Sequence, residues 1–319
     1  MPYVRFAGTF KSAAGNAGTG YYIYTPETDV TAVLQIIHDW GEEIRDYRQV
    51  IHYLTDHGIA VCGCDLTGHG ASAEGANGSF AAHNGWSCLV KDQKKLFRIA
   101  RKTFPGAPCY VYGQGLGALI ARLFCIKNED VDGLILGGVP GIQRFNHTIV
   151  LGTGLIKRIK SPSFQIRKMT DMVTGNLNRG FPEEEGIHAW YSENPEARKK
   201  YEQKKPSRIP FSVSVVEDML KMVSLCQVRT CCRNIKEGLP VFLAGGSADP
   251  VCRKGRELQH AARCYEQAGH PAEVKIYEGV RHSLKDSFIW NEVFEDMLQW
   301  IRRNIPDEEE DDIGPAPEA

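Results

Sequence analysis

Val111-Tyr112-Gly113-Gln114-Gly115-Leu116-Gly117-Ala118 decides the fold of this chain. The apolar residues that lead into it read as a strand buried on both faces, and those that follow have helical spacing. A strand therefore runs straight into a helix through a glycine-dense turn. Two kinds of site use such a junction. One is the nucleophile elbow, G-x-S-x-G, where a strained turn lifts a serine above the sheet. Here Gly115 stands in the serine's place. The other is the dinucleotide fingerprint G-x-G-x-x-G/A, which Gly113, Gly115 and Ala118 satisfy literally.

Outward from the turn, the chain alternates between two hydrophobic periods. Strands are predicted over 20–25, 32–37, 59–65, 109–112, 131–136, 239–244 and 272–277. Helices are predicted over 46–57, 88–103, 116–126, 254–268 and 288–304. Repeated strand–helix alternation with apolar strands implies an α/β fold, a mostly parallel sheet with helices on both faces. Residues 142–237 break the rhythm. They hold no convincing buried strand and are punctuated at Gly175, Gly180-Phe181-Pro182 and Pro206. A chain of 319 residues exceeds one hydrophobic core, which stops growing at about 250–300 residues. The expected division is a core over 1–141 and 238–305, a helical cap or lid inserted at 142–237, and a disordered acidic tail at 306–319.

The two readings of the turn make different demands. A dinucleotide site needs an acid at the end of the next strand to hold the ribose. That strand ends Leu136-Gly137-Gly138-Val139, and Asp130 and Asp132 lie at its beginning. An elbow needs an acid and then a histidine after later strands. Asp249 follows strand 239–244 in Gly246-Ser247-Ala248-Asp249-Pro250-Val251, and His282 follows strand 272–277 in Gly279-Val280-Arg281-His282. Upstream, His38-Asp39-Trp40-Gly41-Glu42 follows one strand and Asp65-Leu66-Thr67-Gly68-His69-Gly70-Ala71-Ser72 follows the next.

In that ordered set the chain resembles the monoacylglycerol lipase and lysophospholipase branch of the α/β-hydrolase superfamily. That branch carries H-G-x-G-E, D-x-x-G-H-G-x-S, G-x-S-x-G, an acid in a G-x-x-D-P-V turn and a histidine in a G-x-x-H turn, with a helical cap at the matching place. The likeness spans roughly residues 15–304. It implies a Ser-His-Asp carboxylic ester hydrolase acting on monoacylglycerol- or lysophospholipid-like acyl esters, with His282 as general base and Asp249 as its orienter. It implies an oxyanion hole made by the backbone N–H groups of Trp40 and Leu116. Asp65 and His69 read as braces for their loops, and His38 chiefly as another.

The chain departs from the branch at Asp39, where the family has glycine, and at Gly115, where it has serine. Glycine cannot be acylated, so the covalent route through residue 115 is closed. Ser72, Ser247 and Cys252 are the substitutes nearest the motifs, and no motif aims any of them at His282. Two explanations lead: a serine hydrolase inactivated by replacement of its nucleophile, the preferred one, and a natural pseudo-hydrolase that binds a ligand without turnover.

His38, Gln114, Ile149, Leu155, Met219 and Met222 are the candidates for lining the substrate, with core packing the plainer reading of the two methionines. The apolar run 147–156 also admits a transient contact with a membrane surface. A formal net charge of −1 gives no nucleic-acid footprint. Ten scattered cysteines without a CxxC pair read as reduced thiols of a cytoplasmic protein, with no metal and no cofactor expected. The oligomeric state is not legible.

Overall fold

The computed structural model describes residues 3–15, 18–73, 80–81, 83–126, 128, 130–141, 164, 176–204, 211–227 and 229–306. Its strands are β1 (Tyr3–Lys11), β2 (Gly18–Pro26), β3 (Ala32–Ile37), β4 (Ile59–Cys64), β5 (Cys109–Gln114), β6 (Gly133–Gly137), β7 (Val241–Gly246) and β8 (Ala272–Tyr277). They form one sheet in the order β1-β2-β4-β3-β5-β6-β7-β8. From β4 to β8 every neighbouring pair is parallel. β1 and β2 are antiparallel to their neighbours.

β1 is absent from the sequence prediction for a physical reason. Its residues are mostly exposed or half-buried, Val4 and Phe6 among them, so it lacks the apolar run that marks a buried strand. The interior strands β3 to β7 are buried along their whole length, as their sequences imply.

Side-chain alternation splits the core into two layers. On β3, Val33 and Ile37 point to one face and Leu34 and Ile36 to the other. The first face is covered by α2 (Gly85–Thr103), α3 (Leu116–Cys125) and α7 (Arg256–Glu266), through Leu89, Leu96, Leu119, Phe124, Leu258 and Tyr265. The second face is covered by α1 (Arg48–Asp56) and α8 (Trp290–Arg303), through Val50, Leu54, Phe294 and Leu298. α1 begins two residues later than predicted, because residues Ile44–Tyr47 take a tighter 3-10 turn.

Between β6 and β7 lie α4 (Pro195–Gln203), α5 (Val213–Gln227) and α6 (Arg229–Arg233). Met222 of α5 is fully buried in the same core cluster as Leu119 and Leu134, and Met219 packs against that cluster. These two methionines are core residues here, which favours packing over a ligand pocket. No helix among the described residues is long and apolar enough to cross a membrane.

Candidate active site

The C-terminal ends of β3, β5, β7 and β8 bring the predicted site residues together. The turn after β5 is as tight as its glycines suggest. Gly115 has φ +53° and ψ −111°, a conformation in which a side chain is strained. Its N–H donates to the Gly137 carbonyl at 2.9 Å. A β-carbon on Gly117 would run into the Ile37 carbonyl, and one on Gly113 into the Gly117 carbonyl. Backbone therefore approaches backbone here at distances that only glycine permits.

His282 is 2% exposed, with its two ring nitrogens facing two carboxylates. Nδ1 lies 3.0 Å from Oδ2 of Asp249, and Nε2 lies 2.9 Å from Oδ2 of Asp39. Asp249 is fully buried and also accepts the Val251 N–H at 2.8 Å. Burial alone would push the imidazole toward its neutral form. Asp249 and Asp39 together outweigh it and hold the His282 pKa well above the ordinary 6.5. With both nitrogens protonated, the ring donates to both carboxylates.

The other oxygen of Asp39 accepts the Leu116 N–H at 2.6 Å. Leu116 carries one of the two backbone donors expected of an oxyanion hole, so a carboxylate of the chain itself sits on that donor. Asp39 thus reaches all the way from the β3 loop to the elbow and to the histidine. Sequence reading marked it as a departure from glycine and missed that reach. The signal was available: the two departures, Asp39 and Gly115, are partners in space.

The loop 38–42 that carries Asp39 is fixed on every side. His38 accepts the Leu66 N–H at Nε2, 2.9 Å away, and donates from Nδ1 to the Asp39 carbonyl at 2.8 Å. Both of its ring nitrogens are thus engaged by backbone groups that hold the loop. Gln114, another candidate contact, donates to the His282 carbonyl at 2.8 Å and accepts the Tyr112 hydroxyl at 2.7 Å. It too positions the histidine from behind. Asp65 takes the Ile44 and Ala71 N–H groups at 2.9 and 2.8 Å. His69 is packed between His38 and Trp40, and burial, aided by His38, lowers its pKa to about 3.

Glu42 is the anchor that the sequence did not reveal. It accepts the Asp39 N–H at 3.1 Å, the Tyr47 hydroxyl at 2.7 Å and the Tyr191 hydroxyl at 2.8 Å, and it pairs with Lys285 at 3.2 Å. Burial raises its pKa, but Lys285 and the two tyrosines overcome that and bring it down to about 2. Tyr201 adds a hydroxyl to the Trp40 carbonyl at 3.2 Å. Tyr191 and Tyr201 come from the segment between β6 and β7, so that segment holds the loop in place. Trp190, next in sequence, lies 5.4 Å from the His282 ring, and its buried indole N–H has no partner among the described residues.

No serine or cysteine that could replace the elbow nucleophile is hydrogen-bonded to His282 among the described residues. Ser72 accepts the Gly20 N–H and Ser247 the Gly279 N–H. Cys252 rests on the carbonyls of Gly246 and Asp249, and burial pushes its thiol pKa up. Ile149 and Leu155, with the rest of 147–156, lie outside the described residues.

A sequence model of the family described as serine aminopeptidase, S33, matches residues 28–286. The chain is 22% identical over 297 residues to the monoglyceride lipase homolog of Monkeypox virus, covering 89% of this chain and 95% of that protein. It is 23% identical to the monoglyceride lipase of Homo sapiens, covering 88% and 87% of the two chains. In fold it is similar to a thermostable carboxyl esterase from Bacillus coagulans, with a TM-score of 0.89 at 21% identity, over 95% of this chain and 99% of that one.

Proposed function

The chain belongs to the serine aminopeptidase, S33, family of α/β-hydrolases, in its monoglyceride-lipase-like branch, and on that footing we propose that it binds an acyl ligand without forming a serine acyl-enzyme. One observation carries this reading. Asp39 occupies the space beside His282 and Leu116 that an elbow serine and its bound oxyanion need, and it does so opposite Gly115, which has no side chain. A single loss of serine would leave a gap. Here the gap is filled by a complementary carboxylate, which supports a natural pseudo-hydrolase over a hydrolase stripped of its nucleophile alone. In this reading residues 142–237 are the cap, and small acyl esters or their products are the ligands.

The preferred reading under sequence analysis, an ester hydrolase with its serine replaced, stays as the second. It is supported by the contact of His282 with Asp249, which matches what catalysis would require. Labelling with a fluorophosphonate separates the two. The chain as it stands should not label at the elbow. Gly115→Ser alone should label poorly, because Asp39 is in the way, and Asp39→Gly with Gly115→Ser should label strongly and cleave p-nitrophenyl esters. Strong labelling of the single Gly115→Ser variant would instead favour the second reading.

A further inference from the structure

Away from the elbow, α1 and α4 border a cavity of about 550 Å³. That volume falls within the range of small-molecule sites, about 300–1,000 Å³, and exceeds what a single inorganic ion fills. Its walls are charged. Arg45, Arg48 and His52 line it from the core, at spacings of three and four residues that keep them on one helical face. Lys200 and Lys204 line it from α4 and its C-terminal cap, four residues apart for the same reason. Tyr191 and the buried Lys285 complete the lining on that side of the loop 38–42.

Two carboxylates line the cavity with these cations, and both are taken. Asp46 pairs with Lys204, and Asp286 pairs with Lys285, which also holds Glu42. Arg45 lies over the Tyr22 ring, 5.6 Å from its centroid, and makes no ion pair among the described residues. Arg48 and Lys200 have neither a hydrogen bond nor an ion pair among the described residues. Three positive charges thus converge on one cavity from two separate segments. Like charges gathered this way repel, and an anion between them turns the same arrangement attractive. We propose that this cavity binds a small organic bisphosphate. A phosphate monoester carries about −1.5 to −2 charges near pH 7, so two of them match the three free cations. A guanidinium fork meets phosphate oxygens in pairs. Tyr191 and Tyr201, stacked with their centroids 4.0 Å apart, give the carbon frame between the phosphates an aromatic wall.

The same residues give the ligand a mechanical role. Tyr191 and Lys285 line the cavity and both hold Glu42, and Tyr201 holds the Trp40 carbonyl. A bound bisphosphate ties Arg45 and Arg48 of the core to Lys200 of α4, in parallel with the pair of Lys204 and Asp46. It thereby fastens the segment that braces the loop 38–42. Neither Asp39 nor His282 lines this cavity, so binding here and chemistry at the elbow are independent.

The test is calorimetric titration of the full chain with fructose 1,6-bisphosphate, 2,3-bisphosphoglycerate and adenosine 3′,5′-bisphosphate, with inorganic phosphate and citrate as comparisons. Physiological salt suppresses loose association with surface charge. At least one bisphosphate should bind at one site per chain, ~10-fold or more tighter than inorganic phosphate or citrate, and raise the melting temperature. Arg48→Gln with Lys200→Gln should weaken it by a further ~10-fold or more. Lys199→Gln, an exposed neighbour that does not line the cavity, should leave it unchanged. Melting of each variant without ligand checks that the fold is intact. The site is overturned if none of the three bisphosphates binds, if citrate binds as tightly as they do, or if Lys199→Gln weakens binding as much as the double variant. None of these readouts involves fluorophosphonate labelling at the elbow, so failure here and failure there are distinguishable.

Discussion

A β-carbon on residue 115 would lie 2.6 Å from Oδ2 of Asp39 and nearer still to its Oδ1. The two positions exclude each other as they stand, and that exclusion can be measured. Gly115→Ser should destabilise the fold by about 1–3 kcal/mol through overlap with Asp39 and strain at positive φ. In the Asp39→Gly background only the strain remains. A double-mutant cycle by chemical denaturation should therefore give a coupling of about 0.5–3 kcal/mol. Strict additivity would mean that Asp39 swings away freely.

The turn around that pair should tolerate nothing. Gly117→Ala puts a methyl group into the Ile37 carbonyl, which is sheet backbone and cannot yield. The expected loss exceeds about 4 kcal/mol, read as a collapse of the urea midpoint or of soluble yield. Gly279→Ala is the control, since a β-carbon there meets nothing within 4 Å and only the φ of +72° is unfavourable.

Lys285 and Glu42 form a buried ion pair beneath the loop that presents Asp39. Lys285→Met would leave Glu42 charged, buried and short of its cation, at a cost of about 3–5 kcal/mol. Glu42→Gln with Lys285→Met together should recover part of that loss. If the single lysine variant melts with the parent, the pair does not hold the loop.

Acid and alkali should act through different groups. The folded Glu42 pKa, about 2, lies below its ordinary 4.5. Its stabilising contribution is therefore complete above pH 4.5 and is lost as pH falls toward 2. The folded His282 pKa lies above its ordinary 6.5. Its contribution is complete below pH 6.5 and fades as pH rises through the folded value. Melting temperature against pH should show both limbs. Glu42→Gln should flatten the acid one and His282→Gln the alkaline one. A His282 ring that titrates near 6.5 by NMR would contradict the ion pair with Asp39.

Much of this was legible beforehand because it is local. Interior strands such as 32–37 are nearly continuous apolar runs, and the elbow is written in closely spaced glycines. Asp249 and His282 could be placed because each follows a strand at the same edge of the sheet. What escaped was long-range. β1 has no apolar signature, and its pairing with β2 decides its structure. Glu42, Tyr191, Tyr201 and Lys285 meet from distant parts of the chain, and no spacing announces such a cluster. Gln114 and His38 looked like ligand contacts because of where they sit, but their polar atoms are taken up by backbone and a tyrosine.

The Asp39 carboxylate also changes what the resting protein resembles. In a serine hydrolase, an anionic oxygen on the oxyanion-hole donor beside a protonated histidine exists only fleetingly, around the tetrahedral intermediate. Here that charge pattern belongs to the resting state, because Asp39 supplies the anion and holds the His282 pKa up. The fold carries its own tethered analogue of that intermediate. Complementarity that an enzyme reserves for the summit of its barrier goes instead into the ground state. Removing Asp39 should therefore make the protein less stable and, with a serine restored at 115, more reactive.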